Sequence, residues 1–247
     1  MGLFDFFGKK SPTSKVDKAV KKMLNEHQQQ QVRQEAMQEL VGMDSPEAIS
    51  ALIKRLGVNF RDTIKNEQEK RWVHDTLINY FKDRAIEPLI AFIRTEQSVS
   101  AAILVLRKLC SEEMVEALLC EVLTSYSPED HRTFEIRLQL VDALADYPTT
   151  AAMEASLPYL VDHDDGVRLK VLELIDGRID KGHALYEHAL EELIKVLKDP
   201  MASGAIARRS AEMISRFDAD LRAHVDSLAA FVPDGFVLGS NGRLKKG

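Results

Sequence analysis

Val32-Arg33-Gln34-Glu35-Ala36-Met37-Gln38-Glu39-Leu40 is the stretch on which the fold turns. Its apolar residues Val32, Ala36, Met37 and Leu40 fall on one face of a helix, with charged and amide side chains on the other. The phrase returns in degenerate form as Ile136-Arg137-Leu138-Gln139-Leu140-Val141-Asp142-Ala143-Leu144. It returns again as Val167-Arg168-Leu169-Lys170-Val171-Leu172-Glu173-Leu174-Ile175. Self-similarity of this kind is the mark of stacked helical pairs, none of which can bury its apolar face alone.

Working outward, the joints between helices carry stop and start chemistry. Asp44-Ser45-Pro46 ends one helix and places a proline in the first turn of the next. Gly57, Ser127-Pro128, Tyr147-Pro148, His163-Asp164-Asp165-Gly166 and Asp199-Pro200 punctuate the rest. A first helix is expected over 14–27, capped by Ser14, and a second to Met43. Residues 57–66 are the longest interruption, with Phe60 as an anchor, before helix resumes through Trp72, Leu77 and Phe81. Further helices are expected over Ile86–Ile93, Val99–Leu109, Met114–Leu123, Phe134–Leu144, Met153–Val161, Val167–Ile175, Leu185–Leu197, Ala205–Phe217 and Asp220–Phe231. Starts at Ser45, Ala85, Ser111, Thr149 and Gly182 are spaced by 40, 26, 38 and 33 residues, the range of two-helix repeats. The expected fold is all-α, an α–α superhelix of about five to six helical pairs over residues 14–231. Residues 1–13 form a leader, and 232–247 form either a frayed tail or a short C-terminal β-hairpin turning at Asn241-Gly242.

Composition agrees with a folded helical chain: 45% of residues are hydrophobic and 29% charged, and glycine and proline number only 12 and 8 of 247. Charge is uneven. Residues 1–22 carry six lysines against Asp5 and Asp17, a net of +4, and residues 243–247 carry +3. Against an overall charge of −6, the intervening body is left at −13, which disfavours nonspecific binding to phosphate backbones. No apolar run approaches the ~18 residues of a membrane span, and the start lacks a secretory pattern. Cys110 and Cys120 sit in helical patterns and read as core thiols. A cytoplasmic protein is expected, with membrane association through residues 1–10 left open.

Two segments, Val32–Leu40 and Asp44-Ser45-Pro46-Glu47-Ala48-Ile49-Ser50-Ala51-Leu52-Ile53, together resemble the HEAT repeat in its short bacterial form. This is the form also found in phycobilisome lyase-like proteins. His163–Leu172 is similar to the same motif, and the resemblance covers about residues 14–231. It implies a right-handed superhelix whose second helices line a concave binding face. It also implies that the arginine of the phrase pairs with an acid at a neighbouring turn, for which Asp164 or Asp165 is placed. Read functionally instead, Arg33, Arg137 and Arg168 form a ladder for an acidic partner.

Chemistry-bearing motifs are few. No Cys-x-x-Cys, His-Glu-x-x-His, calcium loop, phosphate-binding glycine loop or Gly-x-Ser-x-Gly elbow occurs, so neither a cofactor nor a metal ligand set is expected. Trp72, the only tryptophan, lies within Lys70-Arg71-Trp72-Val73-His74-Asp75, a plausible anchor for a partner. Arg208 and Arg209, outside the clear phrase, are further candidates for surface contact. In the leader, Leu3, Phe4, Phe6 and Phe7 crowd five positions ahead of Lys9 and Lys10, a composition suited to a partner, to the chain's own groove or to an anionic membrane surface. The expected function is a noncatalytic protein-binding scaffold in a bacterial cytoplasm. It would use Trp72, Arg137, Arg168, Arg208 and Arg209 on its concave face and the leader as a recruitment arm. The resemblance leaves two alternatives, a bilin lyase-like or isomerase-like enzyme subunit and a HEAT-like nucleic-acid-binding protein.

Overall fold

The computed structural model describes residues 12–247, with side chains from residue 15 onward. The leader residues Leu3, Phe4, Phe6, Phe7, Lys9 and Lys10 lie outside the described residues. Among the described residues the chain is all-α apart from one two-stranded sheet, and it divides into two compact units, 1–115 and 116–247.

The first unit holds α1 (Pro12–Met23), α2 (Gln30–Met43), α3 (Pro46–Ile53), α4 (Thr63–Thr76), α5 (Ile86–Thr95) and α6 (Ser100–Leu109). Each consecutive helix packs on its neighbour or next-but-one: α1 on α2 and α3, α3 on α5, α2 on α4, and α4 on α6. The joints follow the residue chemistry. Asp44 takes a left-handed φ of 48° at the end of α2, and the Ser45 hydroxyl accepts from the Ala48 amide at the start of α3. α1 begins at Pro12 rather than at Ser14, which therefore lies inside the helix instead of capping it, and ends at Met23 rather than 27. Beyond α4 the chain does not stay α-helical as far as Phe81. Leu77–Phe81 widens into a π turn and Lys82–Ala85 tightens into a 3₁₀ turn, with Lys82 at φ 51°.

In the second unit, which begins within α7 (Glu112–Thr124), follow α8 (Phe134–Leu144), α9 (Thr150–Ser156), α10 (Asp165–Ile175), α11 (Tyr186–Lys198), α12 (Gly204–Phe217) and α13 (Val225–Leu228). Here α8 packs on α10, and α10 on α12. α9 passes into a 3₁₀ segment, Leu157–Val161, where Pro158 has no amide to continue the α ladder. The single helix expected over 220–231 is broken into a 3₁₀ turn, Arg222–His224, and the short α13.

The C-terminal residues form the hairpin. β1 (Phe236–Leu238) pairs antiparallel with β2 (Leu244–Lys246), in the register Phe236↔Lys246 and Leu238↔Leu244. Its loop is residues 239–243, longer than a two-residue Asn-Gly turn. Gly242 sits at φ 73°, and a Cβ there would lie 2.5 Å from the Arg222 amide nitrogen, so the position requires glycine. The Leu221 amide donates to the Gly242 carbonyl at 2.8 Å, and β2 lies against α12 with Phe236 and Leu244 buried. Two strands alone are marginal in water; this pair is held by the helices beneath it.

Candidate functional site

The arginines of the repeated phrase form closed ion pairs. Arg33 on α2 reaches Glu69 on α4, with Nε to Oε1 at 2.9 Å, and both are buried. Glu69 also accepts from Arg55 Nε at 2.9 Å, so one carboxylate serves two guanidiniums. The surplus positive charge is met by acceptors without formal charge. Arg55 donates to the Val58 carbonyl at 2.8 Å and to Asn66 Oδ1 at 2.9 Å, and Arg33 donates to the Glu26 and Gln28 carbonyls. Phe60 anchors the interhelical segment as expected, with its ring under both cations, 4.1 Å from Arg55 Cζ and 4.9 Å from Arg33 Cζ. Burial pushes Arg55 below its usual pKa, against the pull of Glu69.

The same device recurs in the second unit. Arg137 on α8 clasps Asp162 with two bonds, Nε to Oδ2 at 2.6 Å and Nη2 to Oδ1 at 3.0 Å, and both residues are fully buried. Its remaining donors reach Thr133 Oγ1 at 2.6 Å and the Asp130 carbonyl at 2.8 Å. Arg168 on α10 donates to Asp199 Oδ2 at 2.6 Å and to the Asp162 carbonyl, and is buried.

These pairs correct the sequence reading in two respects. Arg137 and Arg168 offer no side chain to a partner, because both guanidiniums are buried in the fold, where Arg168 Nη1 is left without a hydrogen bond among the described residues. Arg168 pairs with Asp165 as expected, at 3.9 Å, but its closer acid is Asp199, one helical pair further on at 2.6 Å, while Asp164 caps α10 by accepting from the Val167 amide. Arg209 is held by Asp176 at 2.8 Å, and Arg216 binds the same carboxylate. Arg208 remains on the surface beside Gly204, Ala205 and Glu212. Trp72 is half-buried on α4; Val73 after it is buried, and Arg71 before it opens to solvent.

That opening is a groove of about 630 Å³ in the first unit, lined from α4 by Glu67, Gln68, Lys70, Arg71, His74 and Asp75 and from α6 by Ala101 and Leu104, with Leu56 in its lining. Leu104 is 54% exposed, an apolar side chain held in water. The charges facing the groove are unequally satisfied. His74 Nδ1 lies 3.0 Å from Asp75 Oδ1. Lys70 donates to Asn59 Oδ1 at 2.6 Å. Burial lowers its pKa, against the pull of Glu67 three residues earlier. Arg71 is exposed and has no hydrogen-bond or ion-pair partner among the described residues. The groove therefore presents apolar carbon beside one uncommitted guanidinium.

No group of three or more His, Cys, Asp or Glu is placed to hold a metal ion among the described residues. The thiols are free and unactivated: burial pushes Cys120 up to about 11, with Glu116 adding to the shift, and burial with Asp83 and Glu87 raises Cys110. No described helix is long and apolar enough to cross a membrane. Two features had no sequence signal: the Arg55–Glu69 contact, and the stacking of His131 on His163 with ring centroids 3.8 Å apart. Both join residues brought together only by the packing of successive helices. Neither a protein-family model nor a curated protein sequence matches this chain.

Proposed function

We propose that the chain is a HEAT-like stack of helical pairs serving as a noncatalytic adaptor. Its α4–α6 groove would take an apolar, carboxylate-bearing segment of a protein partner. The stack reading is supported by next-but-one packing of helices within each unit and by arginines that reach an acid of the following pair. Both groove walls are second helices of their pairs, the elements that the HEAT resemblance places on a concave face.

The observation that carries the binding reading is Arg71 without a partner among the described residues, beside exposed Leu104. A guanidinium next to an apolar floor suits a carboxylate flanked by large apolar side chains. The fork gives orientation through paired hydrogen bonds, and the apolar contact gives affinity at roughly 25 cal/mol per Å² removed from water. Selection of a random displayed peptide library on the full chain tests this. Recovered sequences should pair an acidic residue with aromatic or aliphatic neighbours. Arg71→Glu and Leu104→Asp should each weaken them by about tenfold or more, ~1.4 kcal/mol, without changing the melting temperature. Recovery of basic sequences, or indifference to both substitutions, would sink the reading.

A further inference from the structure

We propose that α12 of one copy of this chain lies along α4 of a second copy, joined by three charge pairs in register. This rests on the reading of Arg71 as a cation that takes a carboxylate, and it assigns that carboxylate to Glu212 of the other molecule. On α4, Glu67, Arg71 and Asp75 recur every four residues, all of them exposed. On α12, Arg208, Glu212 and Arg216 recur at the same interval, with Glu212 half-buried between two exposed arginines. One stripe reads acid–base–acid and the other base–acid–base. Each covers about 12 Å of its helix at 1.5 Å per residue, so three charges of one face three opposite charges of the other when the helices run nearly in line.

Four-residue spacing is also that of ion pairs closed within a single helix. Neither stripe closes them. Arg71, Arg208 and Glu212 have no hydrogen-bond or ion-pair partner among the described residues. Glu67 accepts from Asn66 Nδ2 at 3.0 Å, while Asp75 meets His74 and Arg216 meets Asp176, and these last two stripe residues stay more than half exposed. The central charges, Arg71 and Glu212, are thus opposite in sign and both unspent. Lys70 beside the first stripe makes the α4 face neutral in sum, whereas Arg209 and Lys246 beside the second leave the α12 face positive. The fit therefore depends on register rather than on net charge. Because every copy carries both stripes, the contact either closes between two molecules or continues as a series.

Sedimentation of the full chain tests this. At an ionic strength of about 0.02 M association should grow with concentration, and its affinity should fall at least about tenfold by about 0.5 M. Arg71→Glu alone and Glu212→Arg alone should each sediment as monomers, because like charges then meet at the centre of the contact. An equimolar mixture of the two variants should associate again, since each supplies the charge that the other lacks. Arg208→Glu, at an exposed position, should weaken association likewise, and rescue by Glu67→Arg or by Asp75→Arg tells which way the helices run. An unaltered chain that stays monomeric at every concentration would overturn the pairing, as would a mixture as monomeric as its parts or rescue by neither acid. Library peptides still captured through Arg71 by a monomeric chain would leave the groove reading standing. A chain that neither associates nor captures them would lose both.

Discussion

Arg137 on α8 and Arg71 on α4 are both cations on second helices, and they have opposite fates. Arg137 is fully buried, bidentate to Asp162, with its other donors on Thr133 and a backbone carbonyl. Arg71 is exposed on the wall of an apolar groove and meets no partner among the described residues. The difference lies in the helix face. Arg137 follows Ile136 on the face that packs on the next helical pair, whereas Arg71 follows Lys70 and turns outward. A cation's residue type therefore says little about its role; the acid it reaches, or fails to reach, says most.

Removing the buried cation should hurt most. Arg137→Ala strands Asp162 in the interior and should cost about 3–5 kcal/mol in denaturant unfolding. A loss below 1 kcal/mol would mean that Asp162 is hydrated and the two cations are less different than the geometry implies. Glu69→Gln removes the one anion shared by Arg33 and Arg55, and should cost about 2–4 kcal/mol, with an unchanged fold by circular dichroism.

Tyr159 reports on how dry the surroundings of Arg137 are. Its hydroxyl donates to the Tyr126 carbonyl at 2.8 Å and to the Leu123 carbonyl, and burial raises its pKa from 10.0 to about 12, against the pull of Arg137. A raised phenol favours the folded state fully below pH 10 and loses that contribution as pH climbs to about 12. Tyr159→Phe should cost about 1–2 kcal/mol at neutral pH and remove this phenol's contribution to the alkaline slope. Ultraviolet titration showing all tyrosines ionising together near 10 would contradict a sealed interior. The smallest effect belongs to Arg71→Glu, which should shift stability by less than about 0.5 kcal/mol while removing peptide binding.

Much of the helical layout was legible because each joint carries its own chemistry: Ser45 caps α3, Asp164 caps α10, and Phe60 pins the segment before α4. The π turn at Leu77–Phe81 was not, since its residues fit an α-helical face equally well. The site was less legible. The arginine phrase located Arg33, Arg137 and Arg168, but not the acids Glu69, Asp162 and Asp199 that lie 36, 25 and 31 residues away and set their role. The Lys70–Asp75 stretch drew notice for Trp72, whereas its exposed members are Arg71 and Asp75, a distinction made only when α6 is laid against α4. Periodicity reports which face of a helix is apolar; it is silent on which helix comes to rest there.

The spacing of those ion pairs bears on how the molecule comes apart. Each joins one helical pair to the next, so each is a coupling between neighbours rather than a property of one element. In a linear array, such couplings set how many pairs melt together. Weakening Arg33–Glu69 or Arg168–Asp199 should therefore broaden the unfolding transition as well as lower it. Amide exchange should then separate into blocks whose edges fall at the severed contact. A few charged side chains thus cross from one helical pair to the next between layers of apolar carbon.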